Sequence, residues 1–174
     1  MRTSLTFKYV QWGDYEFKVT AENRAGTTDS NVAYGTLWTS KRSLLYLMTL
    51  NTDSSRNMFW QARNTLDHYG VYNFNWSTDL CSRPGPDQPP VWGWGPIFGF
   101  KRVDFRPPCT RHDFSYRNYP DVGWTSASKR HHLDTVFYAE MRRECDIQLD
   151  WRYNANCYLV AHTYWSAVRM RGHF

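Results

Sequence analysis

The sequence of 174 residues lacks several features that would assign it to common protein classes. Its four cysteines include no closely spaced C-x-x-C pair, which disfavours a zinc ribbon. No apolar run approaches the length of a membrane span. Lys and Arg are scattered rather than gathered in a dense run, so the formal charge of +5 favours an anionic partner without choosing between nucleic acid and a membrane surface.

The first residues also lack a recognisable secretion signal. Residues 1–13 contain no apolar core of the roughly 7 to 15 residues that a signal peptide has. An even number of widely spaced cysteines nevertheless indicates two disulfides and an oxidising compartment outside the cell. We therefore expect a secreted protein whose true N-terminus is missing or misassigned.

Aromatic residues are plentiful, at 18% of the chain, a proportion that excludes a disordered protein and leaves some rings for binding. The length suits one sizeable core with an appendage. Across residues 14–25, aromatic and β-branched residues alternate with polar ones ahead of Gly26, which predicts a strand and a turn. This stretch resembles the penultimate strand of a fibronectin type III module. We expect residues 1–38 to be a short β-like remnant ahead of a main domain at residues 39–174.

Apolar residues at helical spacing predict a mainly α main domain. The first two helices are short: one lies behind a Ser40 cap, and the other lies behind Ser54 or Ser55 and ends at Gly70. Abundant Pro and Gly predict a long irregular loop from Arg83 to Gly99. Three longer helices follow, over residues 105–119, 128–147 and 155–170.

His112 is the candidate for a titratable base, and Asp134 is its candidate partner. Asp134 opens the apolar face of the helix at 128–147, where a carboxylate is costly to bury without a partner. If this helix lies antiparallel to the helix at 105–119, Asp134 accepts a hydrogen bond from His112 and leaves the other ring nitrogen to activate water. A plainer interpretation makes Asp134 a first-turn residue stabilised by the helix dipole and His112 an ordinary polar residue.

Asp113 serves a different object from His112, because adjacent side chains on a helix diverge by about 100°. A hard cation is the natural partner, and the segment that includes Asp79 offers a carboxylate and backbone carbonyls. If Cys81 bonds to Cys109, that segment is held one helical turn from Asp113. Without such a bridge, Asp79 is typical of a turn.

Four blocks of this sequence resemble the secreted prokaryotic and fungal phospholipase A2 family, and the likeness spans residues 39–172. The run from Cys109 to Tyr119, CTRHDFSYRNY, is similar to the active-site helix of that family. The run from Tyr72 to Cys81, YNFNWSTDLC, is similar to its calcium loop. Its second and last helices are matched by LDTVFYAEM, from Leu133 to Met141, and by YWSAV, from Tyr164 to Val168.

The resemblance implies a small, disulfide-bonded helical domain with two antiparallel catalytic helices. Its expected activity is the calcium-dependent hydrolysis of the sn-2 ester of glycerophospholipids, which releases a fatty acid and a lysophospholipid. In this scheme His112 is the base that activates water, and Asp134 is the carboxylate that orients it. Tyr116, one turn beyond His112, supports the site.

The resemblance also implies a metal site and a disulfide pattern. Ca²⁺ would be bound by Asp79, Asp113 and the carbonyl of Leu80, and it would hold the substrate phosphate and the developing oxyanion. The implied disulfides are Cys81–Cys109 and Cys145–Cys157.

Two features depart from the family pattern. Ser115 stands where a Gly is usual, and if that position packs against another backbone the hydroxyl shifts the helix and lowers activity. The loop from Val91 to Arg106 looks longer than the family norm, and its aromatic residues suit a lipid interface beside Lys101 and Arg102. The candidate interface residues are Trp92, Trp94, Phe98 and Phe100. The alternative is that these rings fold back over a small core.

The expected partner is a phospholipid membrane surface or micelle, bound by a monomer, with no nucleic acid. One rival function is a catalytically weak or inactive secreted lipid-binding or toxin-like module on the same scaffold. A basic nucleic-acid binder is a third interpretation, and it rests on charge and aromatic content alone.

Overall fold

The computed structural model describes the backbone of residues 13–17, 20–23, 26–29 and 33–37, and it describes residues 40–65, 72–81, 85–95 and 97–171 more fully. The chain divides into two compact units, Met1–Ser40 and Lys41–Phe174.

The N-terminal unit contains the strands β1 Gly13–Phe17, β2 Thr20–Asn23, β3 Gly26–Asp29 and β4 Ala33–Leu37. Strand β1 pairs antiparallel with β4, and β2 pairs antiparallel with β3. The strand predicted over residues 14–25 is therefore two strands, and Gly26 begins a third. The β character of this segment is confirmed, whereas its descent from a fibronectin module and the domain division stay predictions.

The second unit is mainly helical, as predicted. Its elements are α1 Lys41–Met48, α2 Asp53–Asn64, β5 Pro90–Trp92, β6 Phe100–Arg102, α3 Arg106–Asn118, α4 Ala127–Gln148 and α5 Trp151–Arg171. Helix α5 begins before the predicted residue 155, because the carboxylate of Asp150 accepts a hydrogen bond from the amide of Arg152 at 3.1 Å and satisfies the first turn. Among the described residues, no helix is both long and apolar enough to cross a bilayer.

The start of α2 corrects the predicted cap. Thr52 is the N-cap residue, and its hydroxyl accepts a hydrogen bond from the amide of Ser55 at 3.2 Å. The prediction of Ser54 or Ser55 as the cap is wrong. The helix ends at Asn64, earlier than the predicted Gly70, which lies outside the described residues.

Helices α3 and α4 lie antiparallel, as predicted. Tyr116 and His112, late in α3, bind Asp134 near the start of α4. Arg111, one position earlier in α3, binds Glu140 further along α4. Residues later in α3 therefore contact residues earlier in α4, which is the pattern of two antiparallel helices.

Disulfides close the core of this unit at two points. The bonded pairs are Cys81–Cys109 and Cys145–Cys157, the pairs that the resemblance implies. The first joins the segment before β5 to α3, and the second joins α4 to α5. Around them lie buried residues from β5, from the segment between β6 and α3, and from α4 and α5: Val91, Val103, Phe105, Phe137, Met141, Tyr153, Ala161 and Tyr164.

Within the Pro- and Gly-rich stretch predicted as an irregular loop, residues 90–92 form a strand, and the described residues on either side of it have no regular secondary structure. Strand β5 pairs antiparallel with β6 to form a hairpin, and Gly95, with φ 107°, adopts a conformation that favours glycine in its turn. The hairpin packs on the start of α5: the amide of Trp94 donates to the carbonyl of Arg152 at 2.9 Å. The hydroxyl of Tyr153 donates to the carbonyl of Phe98 at 2.6 Å. Strand pairing and contacts with α5 thus give a hairpin in a segment whose Pro and Gly content alone indicates a loop.

Candidate active site

The imidazole of His112 and the carboxylate of Asp134 lie together between α3 and α4. His112 Nε2 is 3.1 Å from Asp134 Oδ1. An ionised carboxylate only accepts hydrogen bonds, so the proton of this bond belongs to Nε2, and Nδ1 is left as the acceptor. The pair can therefore take a proton from a water molecule placed at Nδ1.

The carboxylate of Asp134 is buried and is held through one of its two oxygens. Tyr116 donates its hydroxyl to the same oxygen, Oδ1, at 2.7 Å. Burial and this hydrogen bond raise the pKa of Tyr116 well above its usual range, so it remains a donor at physiological pH. Asp134 Oδ2 is buried and has no hydrogen-bond partner within the described part of the chain. His112 and Tyr116 therefore hold this carboxylate together, both through Oδ1.

Two aromatic rings fix the plane of the His112 imidazole. The ring of Phe137 stacks on it with centroids 4.4 Å apart, and the ring of Tyr116 lies 4.5 Å away on α3. Both residues come from the helices that form the site, at positions one turn from Asp134 and His112 respectively. The orientation of Nδ1 is thus set by packing as well as by the hydrogen bond to Asp134.

Asp113, the next residue after His112, binds the loop at residues 78–80. Its Oδ2 accepts hydrogen bonds from the hydroxyl of Thr78 at 2.7 Å and from the amide of Asp79 at 2.8 Å. Leu80 has φ 59°, a left-handed conformation that is uncommon for a bulky residue. A disulfide also joins the end of this loop to α3. The loop and the base are therefore held by adjacent positions of one helix.

The second predicted cation ligand, Asp79, is turned to a different partner. Its carboxylate is 2.5 Å from Arg117, and its side chain is 72% exposed. Exposed ion pairs contribute only about 0 to 1 kcal/mol, so this one is easily exchanged. Within the described residues, no three His, Cys, Asp or Glu side chains form a metal-binding group. Two carboxylates with loop carbonyls are hard oxygen donors, which fit Ca²⁺ once Asp79 exchanges Arg117 for the ion.

A buried ionic network next to His112 escaped the sequence analysis. Arg111 is 2% exposed, pairs with Glu140, and donates to the carbonyls of Met48 at 2.8 Å and Leu50 at 2.6 Å. Burial lowers the pKa of Arg111 and raises the pKa of Glu140, while their attraction acts in the opposite direction on each. The available signal was Glu140 itself, an acid on the inward face of α4 that requires a cationic partner.

Ser115 fits its helix. It is buried, and its hydroxyl donates to the carbonyl of Arg111 one turn back at 2.8 Å. Helix α3 continues through this position to Asn118. Ser115 also lines a recess beside His112, together with Pro108, Leu133 and Val136. The hydroxyl therefore bears on the shape of this recess rather than on the continuity of the helix.

The predicted interface residues separate into two groups. Trp92, Trp94 and Phe100 are exposed large side chains. Phe98 is partly buried against the core, and the guanidinium of Arg152 lies over its ring at 5.3 Å. Phe98 thus packs partly on the core, as the alternative expected, and a place for it at a lipid interface stays a prediction.

Comparison with known proteins bears on the same part of the chain. A family model described as prokaryotic phospholipase A2 matches residues 48–172. A secretory phospholipase A2 of Beauveria bassiana is 31% identical over 102 residues, which are 59% of this chain and 46% of that protein. A secretory phospholipase A2 of Arthroderma benhamiae is 33% identical over 92 residues, 53% of this chain and 52% of that protein. The chain thus spans about half the length of these curated relatives.

Proposed function

The chain belongs to the prokaryotic phospholipase A2 family, and on that premise we propose that it hydrolyses the sn-2 ester of glycerophospholipids in the presence of calcium. The products are a fatty acid and a lysophospholipid. One observation carries the proposal: His112 is hydrogen-bonded to a buried carboxylate, and its neighbour Asp113 holds an oxygen-rich loop. A base and a cation site on adjacent helix positions are what hydrolysis of an ester beside a phosphate requires.

The proposed chemistry uses water as the nucleophile. His112 Nδ1 takes a proton from the water as its oxygen attacks the ester carbonyl, and Asp134 stabilises the imidazolium that forms. The bond between the carbonyl carbon and the glycerol oxygen then breaks, and His112 returns its proton to that oxygen. No acyl-enzyme forms, so a burst of fatty acid before the steady state is not expected.

The proposed calcium ligands are Asp79, Asp113 and the carbonyl of Leu80. These residues would hold the ion, which would supply Lewis-acid stabilisation to the developing oxyanion and neutralise the substrate phosphate. The chain itself holds the loop beside α3 through two hydrogen bonds to Asp113 Oδ2 and the disulfide between Cys81 and Cys109. The loop is therefore positioned by contacts that do not involve the ion.

We further propose that the protein is secreted, acts as a monomer, and meets its substrate at phospholipid membranes or micelles rather than binding nucleic acid. The two disulfides support an oxidising compartment. The names of the fungal relatives, secretory phospholipases A2, support the same location.

Fatty-acid release from vesicles of a phosphatidylcholine with different acyl chains at sn-1 and sn-2 tests the proposal. With calcium we expect only the sn-2 acid, and with a chelator no release. His112→Asn should lower the rate by about 10² to 10⁴-fold, the usual contribution of a general base. His162→Asn changes an exposed histidine on α5 and is the matched control. Release that survives both chelation and His112→Asn would refute the mechanism.

The rival function is a lipid-binding module without turnover. The exposed aromatic residues of the hairpin favour it, because they suit a lipid interface independently of any chemistry. Vesicle binding by the wild type, with no fatty acid released in calcium, would select this function.

A further inference from the structure

The hairpin of β5 and β6 presents large apolar side chains to solvent. Trp94 is 80% exposed and Ile97 is 84% exposed. Trp92 and Phe100 of the hairpin are also exposed, and so is Trp151 at the start of α5. Single exposed apolar residues are ordinary, but a group of this size within one hairpin and the helix beneath it indicates a contact surface.

The pairing of the strands puts Trp92 and Phe100 on one face. Side chains alternate between the two faces of a strand, and in β5 Val91 is buried while Trp92 is exposed. Trp92 lies directly opposite Phe100, and their ring centroids are 5.4 Å apart. By the same alternation, Arg102 lies on the face of Phe100. The outward face of the hairpin therefore combines two aromatic rings with a guanidinium.

The charge of the hairpin is positive only. Residues 88–103 include Lys101 and Arg102 and contain no Asp or Glu. Lys101 turns toward α5, where its ammonium is 3.1 Å from the carboxylate of Asp150. Arg102 is exposed and donates to the carbonyl of Gln88 at 2.9 Å. The charge that accompanies the outward aromatic face is thus a cation, which complements an anionic surface.

The hairpin is attached near the end of α4 that is farther from Asp134. Gln148, at the end of α4, accepts a hydrogen bond from the amide of Asp104, directly after the hairpin, at 2.7 Å. Asp134 is fourteen positions earlier on the same helix, which is about 21 Å along its axis. The contact that follows the hairpin and the His112–Asp134 pair thus lie at different levels of α4.

We infer that the exposed apolar side chains of the hairpin, Trp92, Trp94, Ile97 and Phe100, form a docking face for an anionic phospholipid bilayer, with Arg102 at the lipid phosphates. The inference rests on the proposed function for its lipid partner and adds the surface that meets it. Trp and Phe suit the boundary between headgroups and acyl chains, and a basic residue beside them adds attraction to anionic lipid. A second copy of the chain suits this face less well, because two copies of Arg102 would meet.

Co-sedimentation of the whole chain with vesicles, in a chelator, tests the inference without turnover. The vesicles contain phosphatidylcholine alone or mixed with phosphatidylglycerol. We expect binding to the mixed vesicles, weakened by about tenfold or more in the double variant Trp94→Ala/Ile97→Ala, which removes exposed apolar surface and leaves the core intact. Met170→Ala is the matched control, because Met170 is 77% exposed near the other end of α5. It should change binding by less than about twofold. Arg102→Gln should reduce the preference for phosphatidylglycerol.

Three results would overturn the inference: no vesicle binding by the wild type, equal binding by the double variant and the control, or a dimer that the double variant abolishes while vesicles go unbound. Circular dichroism and thermal unfolding check that each variant is folded. Fatty-acid release in calcium, with no vesicle binding in chelator, would refute the docking face and leave the proposed catalysis standing. Docking without fatty-acid release in calcium would do the reverse.

Discussion

At the scale of single residues, the site depends on one oxygen atom. Asp134 Oδ1 accepts from both His112 and Tyr116, while Oδ2 is buried without a partner among the described residues. Each of the two donors therefore has a separable effect. In the proposed mechanism His112 carries the proton, and Tyr116 holds the carboxylate that orients His112.

Tyr116→Phe should lower kcat about three- to tenfold and leave KM within about twofold, because one hydrogen bond to a charged group contributes about 1.5 to 3 kcal/mol, and only part of it acts in the transition state. The ring that stacks against His112 is kept. Steady-state fatty-acid release gives both constants. Tyr138→Phe, on α4 and outside this hydrogen bond, is the control. A loss of kcat as large as that of His112→Asn would mean that Tyr116 itself transfers a proton.

Ser115→Gly restores the residue usual in the family and tests whether the hydroxyl impedes activity. We expect the free energy of unfolding to fall by about 1 kcal/mol, because Gly is unfavourable inside a helix. Activity should change by less than about threefold, since the hydroxyl already bonds within α3. Urea unfolding and fatty-acid release measure the two quantities. A gain in activity of tenfold or more would show that the recess beside His112 needs the smaller residue.

At the scale of helices, Arg111 connects α3 to the end of α1 and to α4. Arg111→Ala should lower the free energy of unfolding by about 3 kcal/mol, the lower end for breaking a buried ion pair, because Arg56 remains 3.6 Å from Glu140. Arg143→Ala removes an exposed partner of Asp53 and should cost less than about 1 kcal/mol. Urea unfolding compares the two. Equal losses would show that burial of the network adds nothing.

Much of the helical part follows from sequence because its signals are local. Apolar spacing predicts α3 and α4 within two residues at each end, and the Asp at the start of the apolar face of α4 indicates a buried partner. The contact of His112 with Asp134 needed one further assumption, the antiparallel arrangement of the helices, which the structure supports.

The features that escaped prediction depend on residues far apart in the chain. The hairpin forms in a Pro- and Gly-rich stretch because α5 supplies Arg152 and Tyr153 as hydrogen-bond partners. The partners of Arg111 lie 29 to 63 positions away. Asp79 pairs with Arg117 across 38 positions, where the sequence indicated a cation ligand or a turn residue. Local periodicity carries no information about such pairs.

At the scale of the whole molecule, Tyr164 makes the free energy of unfolding fall at alkaline pH. Its hydroxyl donates to the carbonyl of Pro86 at 2.6 Å and ties α5 to the segment before the hairpin. Burial, and then the charge of Asp87, raise the pKa of Tyr164 from 10.0 to about 12. The folded state thus keeps this proton longer than the unfolded state. Its contribution to stability is present below pH 10.0 and is lost as the pH rises to about 12.

Tyr164→Phe keeps the ring against Phe105 and removes the titrating group. The variant should therefore be less stable than the wild type at neutral pH and lose less stability between pH 10 and 12. Urea unfolding at intervals across this range measures the difference. Parallel losses in both proteins would assign the alkaline transition to other groups.

The disulfide from Cys81 to Cys109 has a consequence for how the protein responds to cleavage. Its two cysteines are 28 positions apart, and the whole hairpin lies between them in a closed covalent ring. A protease that cuts once within the hairpin opens the ring without separating the fragments. The cut protein should migrate as one species on a denaturing gel without reductant and as two with it. The catalytic helix and the loop it holds would stay joined through that cut.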